Sequence, residues 1–207
     1  MYFKRRQRMV ALQRKTARAP RPPRSRRAHW LTELVWRRVL SLTVAYPGDT
    51  LLDMACADGE LLRRIGARVS VDLAGICATP QLARTARARL PDADIMFADV
   101  DDLPWLDDSF DVAVCTLSVP AMRAPNAAFA EAYRVLAPGG QFVVAAPWLP
   151  MPFRGLVNRF LVEDEPDSAP VYAAAQVRAA LRRAGFTRIS ATRVSMAAGV
   201  YVGWKMP

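Results

Sequence analysis

The stretch LLDMACADGELL (residues 51–62) decides the fold. An apolar run ends in a carboxylate, small residues follow, and a helix-forming run begins at Glu60. This order is typical of a β-strand whose connecting loop lies against a ligand, because small side chains let the backbone approach closely. Glycine is usual in such loops, yet alanine stands at positions 55 and 57. The rest of the chain must therefore show whether the loop is a binding site.

Short apolar runs alternate with helix-forming segments throughout the remaining chain. The predicted strands cover 50–54, 73–77, 95–98, 112–115 and 141–145, and the predicted helices cover 60–67, 80–90, 126–136 and 173–184. This alternation indicates an α/β fold with a parallel sheet that helices cover on both faces. Two final β-rich runs, 187–194 and 199–204, leave no room for a crossover helix, so we expect an antiparallel, reversed C-terminal strand.

The positive charge is concentrated at the N-terminus. Residues 1–30 contain 11 basic residues and no acid, while the remainder carries 18 bases against 19 acids. Like charge and three prolines predict a disordered basic tail over 1–28, ahead of a nearly neutral domain over 29–207. The tail could bind an anionic membrane surface or nucleic acid, direct targeting, or simply be a solvated extension. The neutral domain offers no basic groove for nucleic acid.

An amphipathic helix is predicted next to this tail, over about Trp30 to Leu42, and we expect it to pack on the edge of the domain. The apolar run 34–46 is interrupted by Arg37 and Arg38, which argues against a transmembrane helix. Three cysteines without C-x-x-C spacing and a single histidine, His29, argue against a metal site or a histidine triad. Unpaired cysteines favour a reducing cytoplasm.

Ligands of open α/β sheets bind beyond the carboxyl ends of the strands. Those ends are predicted to carry Asp53 to Gly59, then Cys77 and Ala78, then Asp99 and Val100, and finally Cys115 to Leu117. The helix start at Glu60 offers backbone amides and a positive dipole to an anionic group. A carboxylate with a neighbouring amide, as at Asp99 and Val100, can hydrogen-bond an adenine edge. Cys77 stands where nucleoside-binding sheets often place an acid for ribose.

Two longer motifs lie downstream: DDLPWLDDSFDVAV (101–114) and EAYRVLAPGGQFVV (131–144), in which Pro138 to Gly140 are expected to form the turn into strand five. Together with LLDMACADGELL, and in this order, they resemble the class I S-adenosylmethionine-dependent methyltransferases, closest to the small-molecule branch with quinone-type enzymes. The resemblance covers about residues 45–204. It implies a Rossmann-like, seven-stranded, mostly parallel sheet with a reversed C-terminal strand.

The same resemblance implies that the cofactor is S-adenosylmethionine and which residues hold it. The implied cofactor-binding residues are Asp53, Ala55, Cys56, Ala57 and Gly59 around the methionine part, Cys77 and Ala78 near the ribose, Asp99 and Val100 near the adenine, and Cys115, Thr116 and Leu117 facing the sulfonium. No catalytic residue and no metal ligand is assigned. The resemblance implies methyl transfer to a small, partly apolar acceptor that could be lipid-like, with the oxygen, carbon or nitrogen acceptor atom left open.

Two departures from the family pattern leave an alternative open. An alanine at 57 costs on the order of 1 kcal/mol if its φ must be positive. A missing acid at Cys77 removes a charged hydrogen bond of about 1.5–3 kcal/mol. The chain could therefore be a degenerate methyltransferase-like protein with a binding or regulatory role. The apolar segment 147–172 is predicted to be a substrate lid. Within it, Tyr172 or one of the acids 163–165 could act as a base, or the acids could simply form a solvated turn.

Overall fold

The structure is a computed structural model and describes residues 26–116, 125–148, 174–196 and 198–207. Within these residues the helices α1 to α5 span Arg26–Leu42, Glu60–Gly66, Pro80–Arg89, Pro125–Val135 and Ala174–Ala184. The strands β1 to β7 span Thr50–Asp53, Asp72–Cys77, Asp94–Phe97, Phe110–Thr116, Leu136–Pro147, Thr187–Arg193 and Ala198–Trp204. The predicted elements are all present at nearly the expected positions.

The described strands form one seven-stranded sheet in the order β3-β2-β1-β4-β5-β7-β6. β1 to β5 pair in parallel, whereas β7 is antiparallel to both of its neighbours, β5 and β6. The reversed C-terminal strand is therefore confirmed. The strand order turns back between β1 and β4, so the ligand crevice of such a sheet is expected at the carboxyl ends of these two strands.

Helices cover both faces of the sheet, as predicted. Alternate residues of each strand point to opposite faces, so Leu52 and Leu51 belong to different apolar clusters. One cluster includes buried residues of α4 and α5, for example Phe129 and Leu181. The other includes buried residues of α1, α2 and α3, for example Val39. Two full layers of this kind exclude water from the sheet and fix the strand ends that form the site.

Strands β4 and β5 extend beyond the predicted runs. The expectation of a turn over Pro138 to Gly140 is wrong, because these residues lie inside β5. Gly139 has a φ of +84°, and its amide donates to the carbonyl of Lys205 over 2.9 Å. At the start of β4, Asp111 accepts hydrogen bonds from the amide and the hydroxyl of Thr50. Backbone and side-chain partners of this kind extend a strand beyond its apolar residues.

Helix α1 lies against the sheet through Val35 and Val39, which are fully buried. The buried Gln141 of β5 fixes the chain where the helix ends: its side chain accepts from the amide of Val44 and donates to the carbonyl of Leu42. Trp30 begins the predicted amphipathic helix but is 61% exposed. Fewer apolar side chains of α1 therefore contact the domain than the sequence pattern predicts.

The helix α1 begins at Arg26, so it includes the last residues assigned to the basic tail. The remainder of the tail and nearly all of the predicted lid, including Tyr172 and the acids 163–165, lie outside the described residues. In the part of the chain that is described, no helix is both long and apolar enough to cross a membrane.

Candidate active site

The predicted ligand residues lie at the carboxyl ends of four neighbouring strands, β3, β2, β1 and β4. The parallel pairing places Asp53 beside Gly75 on one side and beside Val114 on the other. The loop after β1 is fixed to both neighbours: the amide of Met54 donates to the carbonyl of Val114, and the amide of Cys56 donates to the carbonyl of Ile76, each over 2.9 Å. The sequence therefore identifies residues that the topology brings to one edge.

Asp53 is a buried carboxylate in this crevice. It is 1% exposed, and its Oδ1 accepts a hydrogen bond from the amide of Ala55 over 3.0 Å. Burial raises the pKa of Asp53 from 3.8 to about 7, and the Ala55 hydrogen bond lowers it only in part. A buried carboxylate with this pKa gains from a cationic ligand group, because a positive charge restores the solvation that burial removed.

Ala57 has a φ of +47°, in the left-handed region that glycine adopts more easily. The cost that the sequence suggested for this alanine is therefore present. Gly59 has a φ of +80°, and its amide donates to the carbonyl of Cys56 over 2.7 Å. A side chain at 59 would also approach Leu90 and Ala86 closely. Of the two positions with positive φ in this loop, 59 is a glycine, whereas 57 is an alanine, the smallest chiral residue.

Cys77 and Cys56 face each other beneath the loop. Both are buried free thiols, and their Sγ atoms are 2.8 Å apart. The Sγ of Cys77 donates to the carbonyl of Ala57 over 3.3 Å, so the remaining hydrogen bond has Cys56 as its donor. The hydrogen bond to Cys77, burial and the charge of Asp53 raise the pKa of Cys56 above its usual range. The contact between the two thiols was not predicted from the sequence.

The start of α2 carries its own acids. The amide of Glu60 donates to Oδ1 of Asp58 over 3.3 Å, so the helix start is partly capped by the chain itself. Arg63 and Arg64 hold the pKa of Glu60 at about 2, and Arg89 binds Asp58 over 2.8 Å. The expectation that this start offers free amides to an anion is therefore weakened by a local carboxylate.

After β3, Asp99 and Val100 are partly buried, and the amide of Asp102 donates to the carbonyl of Asp99 over 3.3 Å. The acidic loop that follows is fixed by Arg134 of α4. This guanidinium donates to the carbonyls of Leu103 and Trp105 and forms ion pairs with Asp107 and Glu131. Arg134 connects the two downstream motifs, a role that the motif R-V-L-A-P-G-G did not reveal by itself.

At the end of β4, Cys115 is fully buried and Thr116 is partly buried. Leu117 lies outside the described residues.

The described residues hold no group of three or more histidine, cysteine, aspartate or glutamate side chains suited to a metal ion.

Trp148 follows the last residue of β5 and stacks on Tyr201 of β7 with ring centroids 5.8 Å apart. Gly199 leaves the space that this indole occupies.

Residues 52–144 match the family model of a methyltransferase domain. Over 156 residues the chain is 31% identical to a demethylmenaquinone methyltransferase of Renibacterium salmoninarum. The aligned region covers 70% of this chain and 65% of that protein. A demethylmenaquinone methyltransferase of Paenarthrobacter aurescens is 30% identical over 158 residues, covering 70% of this chain and 61% of its own length. The chain therefore spans less than two thirds of these relatives.

These matches make the chain similar to the class I S-adenosylmethionine-dependent methyltransferases. A solved structure of geranyl diphosphate methyltransferase in complex with S-adenosylmethionine has the same fold, with a TM-score of 0.74 at 15% identity over 86% of this chain and 87% of that one. The family resemblance and the seven-stranded fold predicted from the sequence are both confirmed. The cofactor that this similarity implies is S-adenosylmethionine.

The described residues fit most of this cofactor. The buried Asp53 carboxylate suits the ammonium of its methionine part, and the left-handed loop at Ala57 exposes backbone rather than a bulky side chain. Asp99 and Val100 are partly buried and follow β3, so they bring a carboxylate and a backbone amide to the end of that strand. The thiol of Cys77 is turned to Cys56 and Ala57, so this position offers ribose no carboxylate. The residues therefore suit the methionine part and the adenine of the cofactor well and its ribose poorly.

Proposed function

We propose that this chain transfers the methyl group of S-adenosylmethionine to a small, partly apolar acceptor of the quinone type. The observation that carries the proposal is the buried Asp53 carboxylate at the switch point, followed by a loop that keeps its left-handed turn. The names of the relatives support the acceptor class: besides the demethylmenaquinone enzymes, a 2-phytyl-1,4-naphtoquinone methyltransferase of Nostoc is 29% identical over 119 residues.

In this proposal the residues at the end of each strand bind a different part of the cofactor. Asp53 would accept hydrogen bonds from the ammonium of the cofactor, and residues 55–59 would hold its methionine part. Asp99 and Val100 would bind the adenine, Ala78 would lie near the ribose, and Cys115 and Thr116 would face the transferred methyl group. The cofactor supplies an electrophilic methyl group, so the protein mainly needs to align the acceptor and exclude water. We assign no catalytic base.

The acceptor is proposed to lie between β5, β7 and the segment 147–172, our proposed lid. Trp148 begins this segment, and its indole on Tyr201 provides an aromatic surface. The Tyr201 side chain is fully buried, and its hydroxyl has no hydrogen-bond partner among the described residues. Flat aromatic walls with one polar group suit a quinol ring, which combines a planar apolar ring with hydroxyl groups.

A lipid-like acceptor also requires access to a membrane, and we propose peripheral contact from the cytoplasmic side. Arg37, Arg38 and Arg193 line a groove between α1 and the end of β6, and none forms an ion pair with a described carboxylate. Exposed Trp30 and Met196 are 61% and 74% accessible. Cations with exposed apolar side chains are typical of surfaces that contact anionic lipids.

Calorimetric titration with S-adenosylmethionine and S-adenosylhomocysteine tests the transferase proposal. We expect saturable binding of both, weaker than the micromolar affinity of an ordinary site of this kind because of Ala57 and Cys77. Asp53→Ala is expected to abolish this binding. Absence of binding by the unaltered chain at millimolar ligand would instead support a non-enzymatic role. Radiolabelled methyl transfer to a panel of demethylated naphthoquinols then identifies the acceptor.

Co-sedimentation with vesicles tests the membrane contact. We expect binding to vesicles of anionic phospholipid, weakening as salt is added, and little binding to neutral ones. Removing residues 1–25 and replacing Arg37, Arg38 and Arg193 by glutamine should each reduce it. The matched control replaces the exposed Arg68, Arg84 and Arg182 by glutamine. Equal losses in both triple variants would show a general charge effect and refute the proposed surface.

A further inference from the structure

The two thiols beneath the cofactor loop form an arrangement that methyl transfer does not require. Cys56 and Cys77 are 3% and 0% exposed, and their Sγ atoms are 2.8 Å apart. Gly75 lies two residues before Cys77 on β2. It makes this contact possible, because a side chain at position 75 would collide with Sγ of Cys56. The amide of Cys56 donates to the carbonyl of Ile76, so the two segments are joined by their backbones as well.

We propose that Cys56 and Cys77 are a redox modification site: peroxide converts them to a disulfide that weakens binding at the cofactor loop. The sulfur atoms need to approach by less than 1 Å to reach the disulfide distance of about 2.05 Å. Because neighbouring strands already hold the segments together, this approach needs little backbone movement. In a reducing compartment such a disulfide is transient, as redox-sensing disulfides are.

The chemistry is balanced with hydrogen peroxide as the oxidant. Because both thiols are buried, oxidation requires the loop to open so that one thiol reaches solvent and ionises. Its thiolate then attacks a peroxide oxygen, the O–O bond breaks, and a sulfenic acid and a hydroxide form. The hydroxide combines with the proton that the thiol released and gives water. The second thiol then displaces the hydroxyl of the sulfenic acid, which gives the S–S bond and a second water. Both sulfur atoms together lose two electrons, and the peroxide accepts them.

The disulfide changes the loop through one hydrogen bond. In the reduced state the thiol of Cys77 donates to the carbonyl of Ala57 over 3.3 Å. Oxidation removes that hydrogen, so the carbonyl of the left-handed residue loses its partner. The residue that our proposed function places along the methionine part of the cofactor is then less well fixed. This consequence rests on the proposed function, whereas formation of the disulfide does not.

The experiment uses the full chain, reduced and then treated with hydrogen peroxide. After denaturation and alkylation we expect two fewer reactive thiols, a mass lower by two hydrogen atoms, and a peptide pair joined through Cys56 and Cys77. Cys115→Ser should keep this crosslink. Cys56→Ser and Cys77→Ser should each abolish it. Three alkylated thiols after peroxide treatment, or a crosslink that includes Cys115, would overturn the proposal.

Titration of S-adenosylhomocysteine into the reduced and oxidised chain tests the consequence. We expect the affinity to fall several-fold to tenfold on oxidation and to return on treatment with dithiothreitol. Equal affinities with a formed crosslink would overturn the effect on binding and leave the proposed function intact. A crosslink without binding in either state would contradict the proposed function and leave the modification site intact.

Discussion

Ala57 adopts a backbone conformation that favours glycine, so its replacement is the most direct test of the cofactor loop. We expect Ala57→Gly to bind S-adenosylhomocysteine several-fold more tightly, because glycine has no Cβ at the point where the left-handed loop approaches the ligand. Titration calorimetry measures the change. Ala55→Gly is the matched control, because position 55 is not among the residues with positive φ. A gain of similar size at 55 would contradict the role of the conformation.

Asp53 should make both stability and cofactor binding depend on pH. Its pKa is about 7 in the folded chain and near 3.8 when unfolded, so between these values the folded state holds the extra proton. Asp53 therefore lowers the free energy of unfolding as the pH rises from about 4 to about 7, by an amount on the order of 4 kcal/mol.

Urea denaturation at about pH 5 and about pH 8 measures more than half of this loss, and Asp53→Asn should be much less sensitive to pH over that range. Affinity for the cofactor should change in the opposite direction, rising as Asp53 ionises above about pH 7, because only the carboxylate balances the charge of the ammonium. Identical pH profiles for the two proteins would show that another group titrates.

At the scale of elements, Arg134 connects α4 to the loop before β4. We expect Arg134→Met to lower the free energy of unfolding by about 2–3 kcal/mol, because two backbone carbonyls and the carboxylate of Glu131 lose a charged donor. Arg63→Met is the matched control: its ion pair with Glu60 is half-exposed, so solvent screens it and its loss should change the free energy of unfolding little. Urea denaturation compares them, and equal losses would contradict the connecting role.

The sequence predicted the elements well because apolar runs and helix-forming runs alternate clearly. It missed the first residues of β4 and β5, where Asp111 and Gly139 are not typical of strands. Their places depend on Thr50 and Lys205, each more than 60 residues away along the chain. Contacts of this kind follow from the strand order, which local composition does not contain.

The sequence predicted the site less completely than the fold. The strand ends were correctly located, since parallel topology alone brings them to one edge. The direction of the Cys77 thiol was not predicted, because it depends on the register that pairs Asp53 with Gly75 and leaves room for Cys56. The burial of Asp53 was missed as well, since a carboxylate at a strand end is usually counted as exposed.

At the scale of the whole molecule, the basic tail and the nearly neutral domain should be separable. We expect removal of residues 1–25 to leave the melting temperature nearly unchanged, because the described layers are packed through residues from Leu31 onward. Differential scanning calorimetry measures this. Gln141→Leu, which removes the partners of Leu42 and Val44, should by contrast lower the melting temperature by several degrees. A large loss on removing the tail would show that the tail contacts the domain.

The connection through Arg134 also has a consequence for recombination between relatives. The guanidinium lies on α4, and its carbonyl partners, Leu103 and Trp105, lie about 30 residues earlier, on the other side of β4. A chimera joined between residues 108 and 130 would combine an arginine from one parent with a loop shaped by another. Crossovers before residue 99 or after residue 136 keep both in one parental block, so folded chimeras should be enriched in those junctions.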